Sequence, residues 1–419
     1  MSRRVKTPYL HPVLRLAAVI ALTLASIATV ARAGSVAAPY EIGTWEGFRP
    51  AAISYTFDDD LPNQYAKAVP MFNAKGFKLT LFTVTSWLSG WANVQAAAAS
   101  GHEIASHTVT HPVLSGLSLA QQTNELANSQ AAINANVTTQ SCVTIAYPNC
   151  VEGSEAITGA YYIAARGCSG QLVPSTPASF LNISSFVCGT QGSLQTAAQL
   201  NNLANSAATA NSWCVYLIHA IDSDSGYSPL PSAVLQASVN YMDTNRDTFW
   251  VETFGNVVRY IRERNASSVV ETTNSGNRIV LQVTNSLNTA IYNYTVTLRR
   301  PLPSGWPAAT ISQNSRPINA QIVTNSSTNC IMFDVVPNGG DILLAKSVLP
   351  FSMSEPVQTS LTSLTFRLNG QAGVNYAICA TTDLVNWLPV ASNLLTSAFT
   401  NLTVDTLGGR QFYRALWLP

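Results

Sequence analysis

The sequence predicts an α/β domain built on a largely parallel sheet, open or closed into a barrel, followed by one or two small all-β modules. Three observations carry this. Apolar strand-like runs alternate with helix-like stretches from Trp45 to about Arg264. Beyond Asn265 the pattern changes to short alternating strands separated by turn residues. The chemically suggestive side chains stand at the ends of the apolar runs, where parallel sheets and barrels place their sites.

The chain opens on a targeting pattern. Arg3, Arg4, Lys6 and Arg15 surround the start of an almost wholly apolar run, Leu16 to Val30, which ends in Ala31-Arg32-Ala33-Gly34. That order reads as a secretory signal peptide over residues 1–33, cleaved after Ala33. The run is short for a membrane span, so a secreted (extracellular or periplasmic) protein with no membrane attachment after cleavage is expected. The remainder exceeds one ordinary domain. Its composition changes divide it into a main domain over 45–265, a β-sandwich-like module over 270–350 and a small β module over 356–419.

Composition narrows the partners. The chain is 47% apolar and 10% charged, with a formal charge of +1. Nothing in that balance suits nucleic acid or an anionic membrane surface. Abundant Asn, Ser, Thr, Ala and Gln fits an extracellular protein meeting a neutral polymer. Seven cysteines, at 142, 150, 168, 188, 214, 330 and 379, leave at least one unpaired in a monomer, and their spacing does not disclose the connectivity. They are read as structural.

In the main domain the strand candidates are Ile53 to Phe57, Lys78 to Val84, Glu103 to Ser106, Val143 to Tyr147, Tyr161 to Ala165, Trp213 to Ile218 and Thr248 to Thr253. A helix is expected over Leu119 to Ala135, opened by Ser118 and Gln121 in capping-box relation. An amphipathic helix from Phe254 to Arg264 closes the domain. Further on, Arg278 to Thr284, Tyr292 to Leu298, Thr365 to Leu368, Asn375 to Cys379 and Phe399 to Val404 alternate as strands. Trp306, Trp387, Tyr413 and Trp417 are expected in the cores of these modules rather than on a sugar-stacking platform.

The first strand runs straight into Asp58, Asp59 and Asp60. Three anions crowded at a strand end are costly unless a cation or a proton-transfer role compensates. Of the five histidines, His11 lies in the targeting segment, while His107 and His111 stand four apart. Pro112 disfavours helical backbone at His111, so a turn presenting both rings is expected. Each feature has a plain alternative, as surface acids or solvated rings. Together, one Asp and two His make a three-ligand set that suits zinc and leaves positions open. Leu217-Ile218 delivers His219 at a strand end, where it reads as a general acid on the same domain.

Thr56-Phe57-Asp58-Asp59, Ser106 to His111, Tyr147-Pro148-Asn149 and Leu217-Ile218-His219 resemble, in order and rough spacing, the motifs of the polysaccharide deacetylases (carbohydrate esterase family 4). The resemblance covers about residues 45–264. It implies a distorted (β/α) barrel and metal-dependent removal of acetyl groups from sugars. It implies Asp58 as general base, Asp59, His107 and His111 as ligands of a divalent metal, zinc first with cobalt or nickel as alternatives, and His219 as general acid. The oxyanion contact falls to the backbone N–H of Asn149. Two positions depart from the pattern: Asp60 stands where the family often has Gly, and Ala146 where it often has the Arg that holds the catalytic Asp. Arg166 is the nearest candidate to replace that arginine. The expected substrate is an acetylated polysaccharide or oligosaccharide, an N-acetylglucosamine polymer such as chitin or peptidoglycan before acetylated xylan. The rival readings are a related metal-dependent amidohydrolase acting on a non-sugar amide, and a carbohydrate-binding protein with a decayed esterase site.

Overall fold

The computed structural model describes residues 34–348, 351–360, 362–406 and 411–418. The expected signal peptide lies outside the described residues, among which no helix is long and apolar enough to cross a membrane.

Strand β1 (Glu41–Ile42) precedes the barrel strands β2 (Ala51–Asp58), β3 (Thr80–Thr83), β4 (Glu103–Ser106), β5 (Thr144–Ala146), β6 (Ala164–Arg166), β7 (Phe186–Val187), β8 (Trp213–Ile218) and β9 (Phe249–Val251). The sheet runs β6-β5-β4-β3-β2-β8-β7, with β9 also pairing β2, and every pair is parallel. Its two ends meet through one segment. Ala165 N donates to Phe180 O and Ile183 N to Ala165 O, while β7, only three residues further on, pairs with β8. This makes the distorted barrel.

All residues of β2 and β8 are buried, because parallel strands are covered on both faces. Ile53, Tyr55 and Phe57 face a core shared with the surrounding helices, whereas Ala52 faces a second core with Phe82, Trp213 and Phe254. The helices are α1 (Val69–Asn73), α2 (Ala92–Ala99), α3 (Leu119–Asn136), α4 (Glu155–Tyr161), α5 (Ala197–Thr209), α6 (Ser232–Thr244) and α7 (Phe254–Ala266). Helix α3 begins with the expected capping box, Ser118 and Gln121 satisfying each other's backbone N–H groups. One strand of the barrel starts later than expected: Tyr161 ends α4, and the strand begins at Ala164. A five-residue apolar run cannot by itself separate a helix end from a strand start.

Helix α7 leads into a sandwich of antiparallel strands β10 (Ser268–Ser275), β11 (Arg278–Thr284), β12 (Val296–Pro301), β13 (Ala308–Gln313), β14 (Arg316–Ile318), β15 (Ala320–Asn325), β16 (Thr328–Val335) and β17 (Ile342–Ser347). Its sheets are β1-β12-β16-β15 and β10-β11-β17-β13-β14, so residues ahead of the barrel supply one of its strands. The strand expected from Tyr292 starts at Val296. Val257, Val258 and Ile261 of α7 share a core with Leu281, Leu298, Ile331 and Leu344 of the sandwich. The last module pairs Ser352–Ser360 with Ser363–Asn369 and Phe399–Asp405, and Asn375–Thr381 with Leu388–Leu394 and Phe412–Leu418. It starts ahead of the boundary expected at 356. Trp306 is buried, Tyr413 and Trp417 pack on the core of this module, and Trp387 lies under the Arg414 guanidinium.

Candidate active site

Strand β2 ends on the acids, and the chain then turns through left-handed backbone at Asp59 (φ 78°) and Asp60 (φ 56°). The third acid is taken up by structure. Asp60 accepts from Tyr65 Oη at 2.8 Å, Thr83 Oγ1 at 3.0 Å and Val84 N at 2.9 Å, which clasps the turn to the end of β3. A glycine could not make that clasp. Burial pushes its carboxyl up to about 6 against these bonds.

The segment after β4 is a turn, as Pro112 requires, with Thr108 at φ 70° and His111 at φ 61°. Glu125 of α3 holds it by accepting from Val109 N at 2.8 Å, Thr110 N at 2.9 Å and Thr110 Oγ1 at 2.7 Å. His107 Nδ1 lies 2.8 Å from Ala146 O. A carbonyl only accepts, so Nδ1 carries the proton and Nε2 keeps a free lone pair.

Asp59, His107 and His111 present their ligand atoms within 4.8 Å of one another. Both imidazole Nε2 atoms stand 3.7 Å from Asp59 Oδ1. That oxygen is buried and has no hydrogen-bond partner among the described residues. Burial, then the neighbouring Asp58 and Asp60, pushes the Asp59 carboxyl up to about 7, and burial draws His107 down to about 4. Two neutral rings facing an orphaned carboxylate oxygen, at separations close to those around a tetrahedral zinc, fit a divalent cation.

Asp58 points elsewhere. Its Oδ2 accepts from Arg166 Nη2 and lies 3.5 Å from His107 Nε2 and 3.9 Å from His219 Nε2. Burial alone would raise its carboxyl, but Arg166, then His107 and His219, outweigh it and hold the group below the usual carboxylate range. Arg166 is wholly buried, with its guanidinium 5.2 Å from the Phe82 ring centroid. It stands in register with Ala146 on the neighbouring strand.

Residues 47–161 match the family model for polysaccharide deacetylases. That segment is a polysaccharide deacetylase segment. The chain is 27% identical to a gellan lyase of a Bacillus species over 336 residues, which are 75% of this chain and 13% of the lyase. It is 32% identical over 98 residues to YxkH of Bacillus subtilis (strain 168), whose name places it among the polysaccharide deacetylases, across 22% of this chain and 35% of that protein. The chain therefore spans well under two thirds of either relative. Among solved structures, the Xyl-CE4 domain of a multidomain xylanase from the hindgut metagenome of Trinervitermes trinervoides aligns with a TM-score of 0.36 at 20% identity, over 49% of this chain and 88% of that one.

The deacetylase segment holds Asp58, Asp59, His107, His111 and Asn149, whereas Arg166, at the end of β6, and His219, just after β8, lie beyond the match. The barrel brings Asp58, Asp59, His107, His111, Asn149 and His219 around one cavity of about 420 Å³. Burial draws the His219 imidazole below its usual value while Asp58 opposes the shift.

Sequence reasoning missed three features in and beside this deacetylase cavity. Cys150 and Cys168 form a disulfide in its wall, while Cys142, Cys188, Cys214, Cys330 and Cys379 are buried thiols. Trp87 lies tilted against His111 at 5.0 Å and Tyr227 packs edge-on to His219 at 5.0 Å between ring centroids, and each residue is 52% exposed. The Trp87 loop is bonded to the His107–His111 turn through Thr85 N to Thr108 O and Ser86 N to Val109 O. The Tyr227 loop docks so closely that a Cβ on Gly226 would meet Leu61 Cδ1 at 2.2 Å. The only signal for either ring was an aromatic shortly after an apolar strand, a pattern shared by many core residues.

Proposed function

We propose that this chain is an exported, metal-dependent hydrolase that removes acetyl groups from a glycan. N-acetylglucosamine polymers such as chitin or peptidoglycan come first and acetylated xylan next. The observation that carries the reading is the division of labour between two adjacent acids. Asp58 is held ionised by Arg166, and Asp59 faces His107 and His111.

Asp59, His107 and His111 would hold the cation, zinc first, with cobalt or nickel as alternatives. A cation bound there supplies positive charge that acidifies water and polarises the acetyl carbonyl. Asp58 takes the proton from the attacking water, its own affinity set by the Arg166 guanidinium. The Asn149 backbone N–H donates to the carbonyl oxygen as charge develops on it. His219 protonates the departing nitrogen or oxygen on breakage of its bond to the acetyl carbon, and the negative Asp58 3.9 Å away favours the imidazolium that this step needs. Trp87 and Tyr227 favour a sugar over a non-sugar amide. Half-exposed rings beside a polar site offer apolar faces to the C–H faces of a pyranose.

The test is acetate release by the zinc-loaded protein from chitin, peptidoglycan, acetylated xylan and their oligomers. Acetate is expected from at least one of them. Turnover of a non-sugar amide alone would remove the sugar from this reading.

A further inference from the structure

We propose that the Cys150–Cys168 disulfide is a positioning device for the reaction: it fastens the Asn149–Cys150 turn, which presents the oxyanion donor, to the strand end that carries Arg166. The rate of the chemical step is thereby tied to an oxidising environment. This rests on the deacetylase reading above, since the oxyanion donor belongs to that reaction.

The two ends of the bridge are unequal. Asn149 at φ 54° and Cys150 at φ 59° are consecutive non-glycine residues in the left-handed region, a conformation that persists only where surroundings enforce it. The turn's own bonds are Cys150 N to Tyr147 O at 3.0 Å and Val151 N to Pro148 O at 3.1 Å, and Asn149 is exposed. The other end is firm. Arg166 O accepts from Tyr147 N at 3.0 Å, Gly167 N donates to Ile183 O at 2.8 Å, and Ser185 Oγ donates to Gly167 O at 2.6 Å. Cys168 stands two residues beyond the wholly buried Arg166. The bond therefore ties a strained, exposed turn to the barrel wall.

Both half-cystines line the cavity, and the other cysteines of the described chain are buried thiols without a bridge. The metal-ligand candidates stand just after β2 and in the turn after β4, outside the two segments that the bridge joins. Loss of the bridge therefore acts on oxyanion placement and leaves the cation site whole. An oxyanion donor acts only at hydrogen-bond distance from the developing charge, so a loosened turn lowers kcat with little change in KM. The bond forms when the two thiols give two electrons and two protons to a small disulfide such as oxidised glutathione, which leaves as two thiols. A water-soluble phosphine reverses it by giving two electrons to the S–S bond, taking oxygen from water to become the phosphine oxide while the two protons of that water go to the two thiols.

The experiment uses the full zinc-loaded chain in three forms: oxidised, reduced with tris(2-carboxyethyl)phosphine, and Cys150→Ser/Cys168→Ser. Zinc content, kcat and KM for acetate release from an N-acetylglucosamine hexamer, and amide exchange over residues 147–151 are measured on each. Breaking the bridge should speed exchange at Cys150 and Val151, lower kcat about tenfold or more with KM within about twofold, and leave zinc bound. Oxidised glutathione should restore the reduced wild type and not the serine pair. Unchanged exchange in the turn, unchanged kcat, or a kcat loss that tracks zinc loss or global unfolding would each overturn the proposal. Reduced wild type needs no refolding, so failure of the serine pair to fold leaves the test intact. An oxidised protein that releases no acetate from any glycan refutes the deacetylase reading instead, while the exchange measurement still decides whether the bridge holds the turn.

Discussion

Arg166 Nη2 donates to Asp58 Oδ2 from β6, one strand away from the position where the family resemblance places an arginine. Ala146, at that position, is Arg166's register partner, so both side chains leave the same face of the sheet. Arg166→Ala should strand Asp58 as a buried, unpaired charge, costing about 3–5 kcal/mol of stability. It should also lower kcat by roughly a hundredfold as the carboxyl loses its ionised bias. Adding Ala146→Arg to that variant should recover at least about tenfold of the lost rate, because the guanidinium re-enters from the adjacent strand. Urea unfolding and steady-state kinetics read both effects, and a double variant as inactive as the single one would show that charge alone does not do Arg166's work.

The adjacent acids should separate by experiment. Asp58→Asn keeps size and hydrogen bonding but removes the proton acceptor, and should lower kcat by roughly a hundredfold or more with zinc still bound. Asp59→Asn and His107→Ala should instead lose zinc, with rate partly restored by added metal in the Asp59 variant. Metal analysis alongside a zinc titration of kcat distinguishes them. Stoichiometric zinc in His107→Ala, or zinc lost from Asp58→Asn and kept in Asp59→Asn, would dismantle this assignment.

Trp87 and Tyr227 flank β2 in the barrel order, one following β3 and the other following β8. A chain crossing the tip of β2 would meet both rings. Trp87→Ala and Tyr227→Ala should each raise KM for a hexameric substrate about tenfold, the loss of one stacking contact, while lowering kcat less. Calorimetric titration with the same hexamer checks the affinity directly. Equal KM in wild type and both variants would mean the rings face solvent without contacting substrate.

Glu263 on α7 is buried against the sandwich, with Oε2 accepting from Tyr294 N at 3.1 Å and Oε1 lacking a partner among the described residues. Burial pushes its carboxyl up to about 8. The folded protein thus keeps a proton that the unfolded chain releases above the ordinary Glu value. The stability is present in full below that unfolded value and is lost as pH rises through 8. Glu263→Gln should match wild type near pH 5 and melt higher near pH 8.5, by about 3 °C or more. Thermal melts across that range check it, and parallel curves for the two proteins at every pH would count against the assignment.

What the sequence determined by itself was local. An apolar strand ending in Asp58-Asp59-Asp60, a proline that turns the His107–His111 segment, the Ser118–Gln121 cap and the amphipathic α7 each follow from neighbours a few positions apart, where backbone sterics and side-chain periodicity act. The tertiary structure decided everything that depends on which strand ends meet. Asp58 and Arg166 are 108 positions apart. Cys150 and Cys168 are separated by 18 positions that include a helix and a strand. Asp60 looked like a third site acid, and only the approach of Tyr65, Thr83 and Val84 makes it a clasp. Nothing in the sequence marks Trp87 or Tyr227, and closure of the barrel sets them beside His111 and His219. Periodicity reports which face of an element is buried, and it carries no information about the partner across the barrel, which packing of the whole chain selects.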